Sequence, residues 1–420
     1  MKRARLAIVL GSLALAGCVT ASRKPAPPDL LGRAVPTGFG PDVRLLTTDR
    51  GTFDARAPRL FERIGTAATA ADGTVDYLVL SGGGAGGSFG AGALVGMERG
   101  HHRPQFEVVT GVSAGALIAP FAYLGPTWDP VLRSAFTGGD GLQLLHSKTL
   151  ALLRQLLFPR GRPGGSSLFK LVDHYVTPAM VAAVAGEYAK GRLLFIATTD
   201  LDKQETVLWN MGAIASHGGE PARVLFRNVL IASASVPGVF PPVLIPVSDG
   251  VHRYAEMHVD GGVTTSLFAA PLTAQLLPRT SPSLPQANLY LIVNGKLATA
   301  PRTTPVNTIG MLARAFSADF TYKSRDAVLL AVMYSRSHHM QLHMTEIPPA
   351  YPYESFVDFR PAHMRLLFDY GADCAARGLL WETAEQSLVR NMRAYPRGIT
   401  SLPACPATPL DPVAEPPRGR

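Results

Sequence analysis

Two successive strand–turn–helix patterns, within residues 74–123, constrain the fold of this chain more than any other feature. An apolar run at residues 77–80 ends at a glycine-rich turn, residues 81–92, and a helix-like segment follows. A second apolar run, residues 106–110, ends at the turn Gly-Val-Ser-Ala-Gly and again leads into small, helix-compatible residues. Open α/β sheets place their ligands at the carboxyl ends of such strands. We therefore expect a mainly parallel sheet with its functional site at these two turns.

Composition favours one large globular unit. The chain has 420 residues, of which 47% are hydrophobic and 17% charged, and it shows no repeated period. Its formal net charge of +9 favours anionic surfaces, lipid head groups included. No basic run is dense enough to indicate nucleic acid as a partner.

The first seventeen residues have the pattern of a signal peptide. A basic start is followed by an apolar run, residues 6–16, which is shorter than the roughly 20 apolar residues that a membrane span needs. The end of this segment, Leu15-Ala16-Gly17-Cys18, resembles the lipobox of bacterial lipoproteins. That resemblance implies cleavage before Cys18, lipid modification of this residue, and a lipid-anchored protein of the cell envelope. In lipoproteins of this class, Val19 after the cysteine, in place of Asp, fits transfer to an outer membrane. An ordinary secretory signal with an incidental cysteine is the alternative.

The rest of the chain divides into four further segments. Residues 18–73 are expected to form a tether and an N-terminal segment, residues 74–275 the core, residues 276–395 the C-terminal part of the same domain, and residues 396–420 a tail rich in Pro and Arg. A leucine-rich helical insert is expected at residues 140–158, either packed on the core, covering an acyl-chain groove, or lying on lipid.

Three smaller expectations concern the end of the chain. Residues 308–334 and 364–377 are predicted to be helical, and residues 354–359 to form a last strand. An oxidising compartment permits a disulfide between Cys374 and Cys405. The alternative, that both cysteines are unpaired thiols, is equally compatible with the sequence.

The pattern Gly-x-Ser-x-Gly occurs twice, at Ser88 and at Ser113. A nucleophile elbow needs a strand directly before the serine, a helix directly after it, and small neighbours that let a strained turn expose the hydroxyl. Ser113, with Gly111 and Gly115 beside it, meets these conditions. Ser88 lies inside the glycine-rich turn, eight residues past its strand. Ser113 is therefore the candidate nucleophile.

The glycine run 82–87 also fits a dinucleotide-binding fingerprint. That function requires an acidic residue about 20 positions on, at the end of the second strand. Glu107 opens that strand and Thr110 stands near its end, while no Lys-Ser/Thr pair follows Gly87 as a phosphate-binding P-loop would need. Nucleotide binding is thus disfavoured. Consecutive backbone N–H groups at a helix start still suit an oxyanion.

The candidate general base is Asp260. It closes a strand-like run, and Gly261 and Gly262 after it allow a sharp turn. An isolated Asp-Gly-Gly sequence more often marks a simple turn. Asp260 is a candidate base because the sequence occurs together with the glycine-rich loop and the Gly-x-Ser-x-Gly motif.

Together these motifs resemble the patatin-like phospholipases, in which a glycine-rich oxyanion loop, Gly-x-Ser-x-Gly and Asp-Gly-Gly follow one another in this order. The resemblance runs from about residue 75 to residue 262. It implies a three-layer α/β/α sandwich with a mainly parallel sheet and a C-terminal helical extension. It also implies a Ser-Asp dyad of Ser113 and Asp260, and an oxyanion hole among Gly82, Gly83, Gly84 and Gly87.

One position departs from the family pattern. Gly86 stands where the family usually has Arg or Lys. Backbone donors survive that change, so we expect it to affect preference for phospholipids more than ester hydrolysis.

A dyad requires an aspartate that works as a base without histidine. We expect burial to raise the pKa of Asp260 towards the working pH. The competing arrangement is a Ser-Asp-His triad that uses His338, His339, His343 or His363. His339 and His343 also have metal-ligand spacing, but apolar residues alternate with them as in a strand, so no metal is predicted.

The sequence thus predicts a serine acyl hydrolase that cleaves fatty-acyl esters of lipids, works without a cofactor, and meets its membrane through lipidated Cys18. The alternative is a lipoprotein that keeps the patatin-like fold and binds lipid or a partner, but does not catalyse ester hydrolysis.

Overall fold

The structure, a computed structural model, describes residues 23–47, 49–138, 167–268, 287–299, 303–304, 306–352, 355–392 and 402–409. The signal peptide with Cys18, the leucine-rich insert at residues 140–158 and most of the C-terminal tail lie outside the described residues. The predicted segment boundaries and the lipid anchor therefore stay predictions.

Ten strands in the described ranges form one sheet. They are β1 (Val35–Pro36), β2 (Arg44–Leu46), β3 (Val75–Leu80), β4 (Val108–Val112), β5 (Leu193–Asp200), β6 (Glu205–Asn210), β7 (Val243–Ser248), β8 (Arg253–Asp260), β9 (Ala287–Val293) and β10 (Gln341–Glu346). Their order is β1-β7-β8-β5-β4-β3-β9-β10, and β6 pairs with both β5 and β2. The block β5-β4-β3-β9-β10 is parallel, whereas β8, β7, β1, β6 and β2 join it through antiparallel pairs.

Eleven α-helices in the described ranges accompany the sheet. They are α1 (Arg50–Ala70), α2 (Gly87–Arg99), α3 (Ala114–Leu124), α4 (Asp129–Thr137), α5 (Ser167–Tyr175), α6 (Pro178–Ala189), α7 (Met211–Ser216), α8 (Gly219–Ser233), α9 (Thr308–Ser337), α10 (Pro361–Ala376) and α11 (Ala384–Met392). Within these ranges, no helix alone has the length and apolar composition of a membrane span. The bent pair α5 and α6 has the length and apolar composition of a span only when the two helices are counted together.

Apolar side chains cover both faces of the parallel strands. On one face, Leu78 and Leu80 of β3 pack in a cluster with residues of α2, α3, α8 and α10. On the other face, Tyr77 and Val79 pack with residues of α1 and α9. Strands buried on both faces are continuously apolar, which explains the dense runs in the sequence. The predicted α/β fold, helices on both sides of a central sheet, is confirmed.

The prediction of a last strand at residues 354–359 was wrong. The described residues 355–360 have no strand, and β10 is the last strand of the described chain. The apolar side chains of this segment, Phe356, Val357 and Phe359, instead line an apolar cavity that Ser113 also lines.

A disulfide joins Cys374 to Cys405 and settles the alternative that the sequence left open. It connects α10 to the segment 402–409, and the Tyr370 hydroxyl donates a hydrogen bond to the Ala404 carbonyl beside it (2.9 Å). The end of the described chain is thereby fixed to the domain.

Strand register brings distant residues to one place. Val112 of β4 pairs with Ala197 of β5, and Thr198 of β5 pairs with Asp260 of β8. The residue after Val112 therefore lies level with Asp260, across the one intervening strand β5. The register of the sheet therefore brings Ser113 and Asp260 close together.

Candidate active site

Ser113 occupies a strained turn between β4 and α3. Its backbone has φ 55° and ψ −122°, a conformation that non-glycine residues adopt at a cost. A Cβ atom at Gly111 would lie 2.5 Å from the Gly115 carbonyl oxygen, and one at Gly115 would lie 2.3 Å from the Leu80 carbonyl oxygen. Both flanking glycines are thus needed for the turn to form, as the elbow motif predicts.

The hydroxyl of Ser113 contacts the carboxyl group of Asp260 directly. Ser113 Oγ donates a hydrogen bond to Asp260 Oδ2 at 2.6 Å, and the amide of Gly262 donates to Asp260 Oδ1 at 2.7 Å. Both side chains are buried, with Asp260 only 1% exposed. Two oxygens of one carboxylate are therefore held in place, one of them against the nucleophile.

Burial raises the pKa of Asp260 to about 7, against the lowering effect of the hydrogen bonds from Ser113 and Gly262. Desolvation disfavours the charged form of a carboxyl group. A general base is most effective when its pKa lies near the operating pH, so this aspartate suits proton transfer at neutral pH.

A second buried serine holds the elbow. The amide of Ser113 donates to Ser233 Oγ at 3.0 Å, and Ser233 Oγ donates to the Ala197 carbonyl at 2.7 Å. Ser233 thereby links α8, the elbow and β5. Ser233 was not among the residues predicted from sequence, because nothing in its local pattern distinguishes it from other serines.

The four glycines expected to form the oxyanion hole divide into two pairs. Gly83 and Gly84 line the space in front of Ser113. The amide of Gly82 donates to the Ser266 carbonyl at 3.0 Å, and that of Gly87 donates to carbonyls within the loop, so these two amides stabilise the loop itself.

Gly83 and Gly84 have no space for a side chain. A Cβ atom at Gly83 would lie 1.8 Å from the Asn294 carbonyl oxygen, and one at Gly84, where φ is 55°, would lie 2.1 Å from the Phe356 carbonyl oxygen. The close approach of these two backbones requires glycine at both positions.

Asn294, directly after β9, holds the glycine loop from the side. Its Nδ2 donates to the Ser81 carbonyl (2.7 Å), its backbone amide donates to Ser81 Oγ (2.8 Å), and its Oδ1 accepts from the Gly90 amide (3.2 Å). The side chain is fully buried. Asn294 was also not predicted from sequence, because its role depends on strand order.

Two chambers meet at Ser113, and Gly84, Val236 and Phe356 line both of them. The first is apolar and has a volume of about 920 Å³, open space at its mouth included. Its lining includes Leu117, Phe121, Leu171, Val176, Phe240 and Met364. The second, about 980 Å³ by the same measure, contains the polar groups. Its lining includes Asp260, Asn294, Lys296, Arg314, Ser317 and Ser355.

No histidine lies among the described residues that line either chamber. His363 Nδ1 is 2.7 Å from Asp358 Oδ2, His338 Nδ1 is 3.1 Å from the Tyr334 carbonyl, and the His343 ring stacks on another aromatic ring. These residues are engaged elsewhere, so the geometry favours the dyad over the triad.

Ser88, the other serine in a Gly-x-Ser-x-Gly pattern, lies inside α2. Its hydroxyl is buried and donates to the Phe136 carbonyl at 3.1 Å. This serine contributes to helix packing.

A buried group of Asp200, Glu256 and His258 has the side-chain types of a metal site, with ligand atoms within 4.8 Å of one another. Cations of the protein already contact its carboxylates: Arg44 Nη1 lies 2.5 Å from Glu256, and Lys203 Nζ lies 3.2 Å from Glu256 and 3.3 Å from Asp200. Buried carboxylates need such partners, and ion pairing accounts for this group.

Residues 78–273 match the family model of patatin-like phospholipase. This match confirms the resemblance drawn from the order of the motifs, and it supports a lipid-ester hydrolase in general. No curated protein matches this sequence.

The chain is also similar to solved structures. VipD from Legionella pneumophila is 12% identical over 76% of this chain and 69% of its own, with a TM-score of 0.31. ExoU, solved with SpcU from the type III secretion system of Pseudomonas aeruginosa, is 15% identical over 73% of this chain and 53% of its own, with a TM-score of 0.29. Human GIVD cytosolic phospholipase A2 is 10% identical over 83% of this chain and 66% of its own, with a TM-score of 0.35.

Proposed function

We propose, on the premise that residues 78–273 form a patatin-like phospholipase domain, that this protein is a serine acyl hydrolase that cleaves fatty-acyl esters of lipids. One observation carries the proposal. The Ser113 hydroxyl, in a strained elbow between an apolar and a polar chamber, donates to a buried carboxylate at 2.6 Å.

In the first half of the reaction, Ser113 Oγ attacks the ester carbonyl carbon while Asp260 takes the hydroxyl proton. The carbonyl oxygen becomes an oxyanion that faces the loop of Gly83 and Gly84, and one well-placed donor there contributes roughly 3 kcal/mol. The carbon–oxygen bond to the alcohol then breaks, and Asp260 gives its proton to the leaving alcohol. The product of this half is an acyl ester of Ser113.

In the second half, water replaces the alcohol. Asp260 takes a proton from the water as the water oxygen attacks the acyl carbon. The bond to Ser113 Oγ breaks, the proton returns to Oγ, and a fatty acid leaves. The net change is hydrolysis of one ester into an acid and an alcohol, with the enzyme restored.

Each chamber is proposed to bind one part of the ester substrate. The apolar chamber fits the acyl chain, because its lining is hydrophobic side chains and burying each methylene contributes about 0.8 kcal/mol. The polar chamber then receives the alcohol part of the ester.

The test uses a fluorophosphonate probe and short acyl esters with the purified protein. Wild type is expected to be labelled and to turn over, and Ser113→Ala to lose both. Ser88→Ala is the matched control, because this serine has the same flanking pattern and is buried in α2; it should keep labelling and turnover. A folded wild type that shows neither labelling nor hydrolysis would instead favour the non-catalytic lipoprotein.

We further propose that the protein is a lipoprotein of the outer membrane, anchored through Cys18. The full chain expressed with a radioactive fatty acid should incorporate label, and Cys18→Ala should not while still being exported. Label retained in the Cys18→Ala protein, or absent from the wild type, would refute the anchor.

A further inference from the structure

The N-terminal segment is fixed at the edge of the sheet that carries the candidate active site. Arg23 Nη2 lies 2.5 Å from Asp202 Oδ1, in the turn after β5, and the Ala255 amide of β8 donates to the Lys24 carbonyl at 2.9 Å. Because β4 and β5 are parallel, the turn after β5 lies on the same edge as Ser113, which follows β4. Residues 23 and 24 are therefore held beside the site.

The hairpin of β7 and β8 extends beyond this edge. β5 ends at Asp200, which pairs with His258, so residues 253–257 of β8 continue past it in the pair with β7. At the tip of the hairpin, Val251 is 83% exposed. The same edge carries further exposed large apolar side chains, on its turns and at the start of α9: Leu201, Val306, Met311 and Val357. Apolar side chains at a rim suit insertion into the boundary region of a bilayer.

Covalent geometry limits how far a lipid on Cys18 can lie from the site. Six peptide units join Cys18 to Lys24, and a fully extended chain of that length spans at most about 22 Å. Asp260 lies five residues along β8 from Ala255, where Lys24 is bound, which is about 17 Å. The tether is therefore as short as the distance from its root to the catalytic carboxylate.

The opposite edge of the sheet is out of reach of this tether. Ala255 is three residues past the level of Asp200, and Leu193, at the amino end of β5, is seven residues before it, so the amino edge lies about 33 Å away. A bilayer that holds Cys18 cannot lie against that edge, because the extended tether spans about 22 Å.

From the position of this segment we infer that the edge of the sheet that carries Ser113, with the β7–β8 hairpin at its rim, docks on the membrane that holds the lipid on Cys18. The enzyme then hydrolyses lipids of its own membrane rather than lipids of a facing one. The inference rests on the proposed function and on the proposed anchor, and it names the source of the substrate. A site that faces its own bilayer meets lipid at a high effective concentration.

Dye labelling tests the orientation without any turnover. With Cys18 acylated and Cys374 joined to Cys405, the thiol introduced by Val251→Cys is the one free thiol of the chain. In proteoliposomes, a dye on it should be quenched by lipids that carry a nitroxide on the head group. The matched control is Ala71→Cys, in an exposed turn between α1 and β3 on the opposite edge, and its dye should stay unquenched. Equal quenching at the two positions, or stronger quenching from Ala71→Cys, would overturn the inference.

Turnover gives the second test. Lipidated wild type in vesicles should hydrolyse a fluorescent acyl ester lipid in its own vesicles faster than the same lipid in added, protein-free vesicles. A glycine- and serine-rich linker of about 20 residues, inserted before Arg23, lengthens the tether from six residues to about 26. Because effective concentration falls roughly as the −3/2 power of tether length, the rate on the protein's own vesicles should fall about tenfold. The same linker appended after Arg420 is the matched control and should leave that rate unchanged.

The failures of the three proposals are distinguishable. If wild type hydrolyses neither a soluble short ester nor the lipid, the proposed function fails, while the quenching comparison still decides the docking face. If Cys18 takes up no radioactive fatty acid, the anchor fails and the docking inference fails with it. A lipidated protein that hydrolyses the soluble ester but prefers the added vesicles, or gains activity on its own vesicles when the tether is lengthened, would refute the docking inference alone.

Discussion

The protonation of Asp260 should control both activity and stability. Because its pKa is about 7 in the folded protein, only about a tenth of the molecules have the base ionised one pH unit below that value. With a soluble short-chain ester, kcat/KM should fall about 15-fold between pH 7 and pH 5.5 and level off above pH 8. An ordinary aspartate, with a pKa of about 3.9, would leave the rate constant over this range.

As the pH rises, ionisation of Asp260 should increase activity but lower the free energy of unfolding. A carboxyl group whose pKa is higher in the folded state binds its proton more tightly there, so it destabilises the fold as the pH rises from the unfolded value to the folded one. The pKa values of 3.8 for the unfolded chain and about 7 for the folded protein correspond to about 4 kcal/mol at pH 8. Asp260→Asn, which removes the charge but keeps the shape, should abolish turnover and stabilise the protein at pH 8 by a few kcal/mol.

Denaturant unfolding of wild type and Asp260→Asn at pH 5 and pH 8 is the assay. Glu107 has a raised pKa of about 7 as well, so the comparison is the difference between the two proteins at each pH. That difference should grow between pH 5 and pH 8. A constant difference, together with a rate that does not change between pH 5.5 and pH 8, would refute the raised pKa and with it the role of Asp260 as a neutral-pH base.

Four further predictions test the surroundings of the dyad. Ser233→Ala leaves the buried Ser113 amide without its acceptor, and kcat should fall about tenfold with KM little changed, in steady-state assays. Asn294→Leu removes the side-chain bonds that hold the glycine loop, and kcat should fall by more than KM changes, with circular dichroism unaltered if the loop alone relaxes. Cys405→Ser opens a loop of 31 residues and should lower the free energy of unfolding by roughly 3 to 4 kcal/mol, a loss that reductant should reproduce in wild type. His363→Ala should leave kcat within about twofold, because the dyad does not use it.

The sequence predicted the parts of the site that local chemistry specifies. Ser113 was recognisable because a strand, two glycines and a helix surround it, and Asp260 because a strand ends there in two glycines. The α/β fold followed from apolar runs that the structure shows to be buried on both sheet faces. These signals lie within a few residues of the feature that they predict.

Residues that act across the sheet could not be predicted. Asn294 reaches the glycine loop only because β9 lies next to β3, and Ser233 reaches the elbow only because α8 packs beside β5. Arg314 lines the polar chamber from α9, a helix whose sequence pattern predicts packing but does not indicate a chamber. The false strand at residues 354–359 has the same origin, since apolar side chains that line a cavity have the same pattern as those that line a sheet.

The direct contact of Ser113 with Asp260 also supports the proposed dyad over the triad considered from sequence. In a triad, the imidazole lies between the serine and the carboxylate and contacts both. Here the hydroxyl and carboxylate oxygens are 2.6 Å apart, so no ring fits between them, and strand register sets that distance through Val112–Ala197 and Thr198–Asp260. In the proposed mechanism an aspartate this close takes the proton itself, and burial raises its pKa towards the value that such a base needs. The absence of an intervening histidine and the raised pKa are therefore two consequences of one placement, at the buried end of β8.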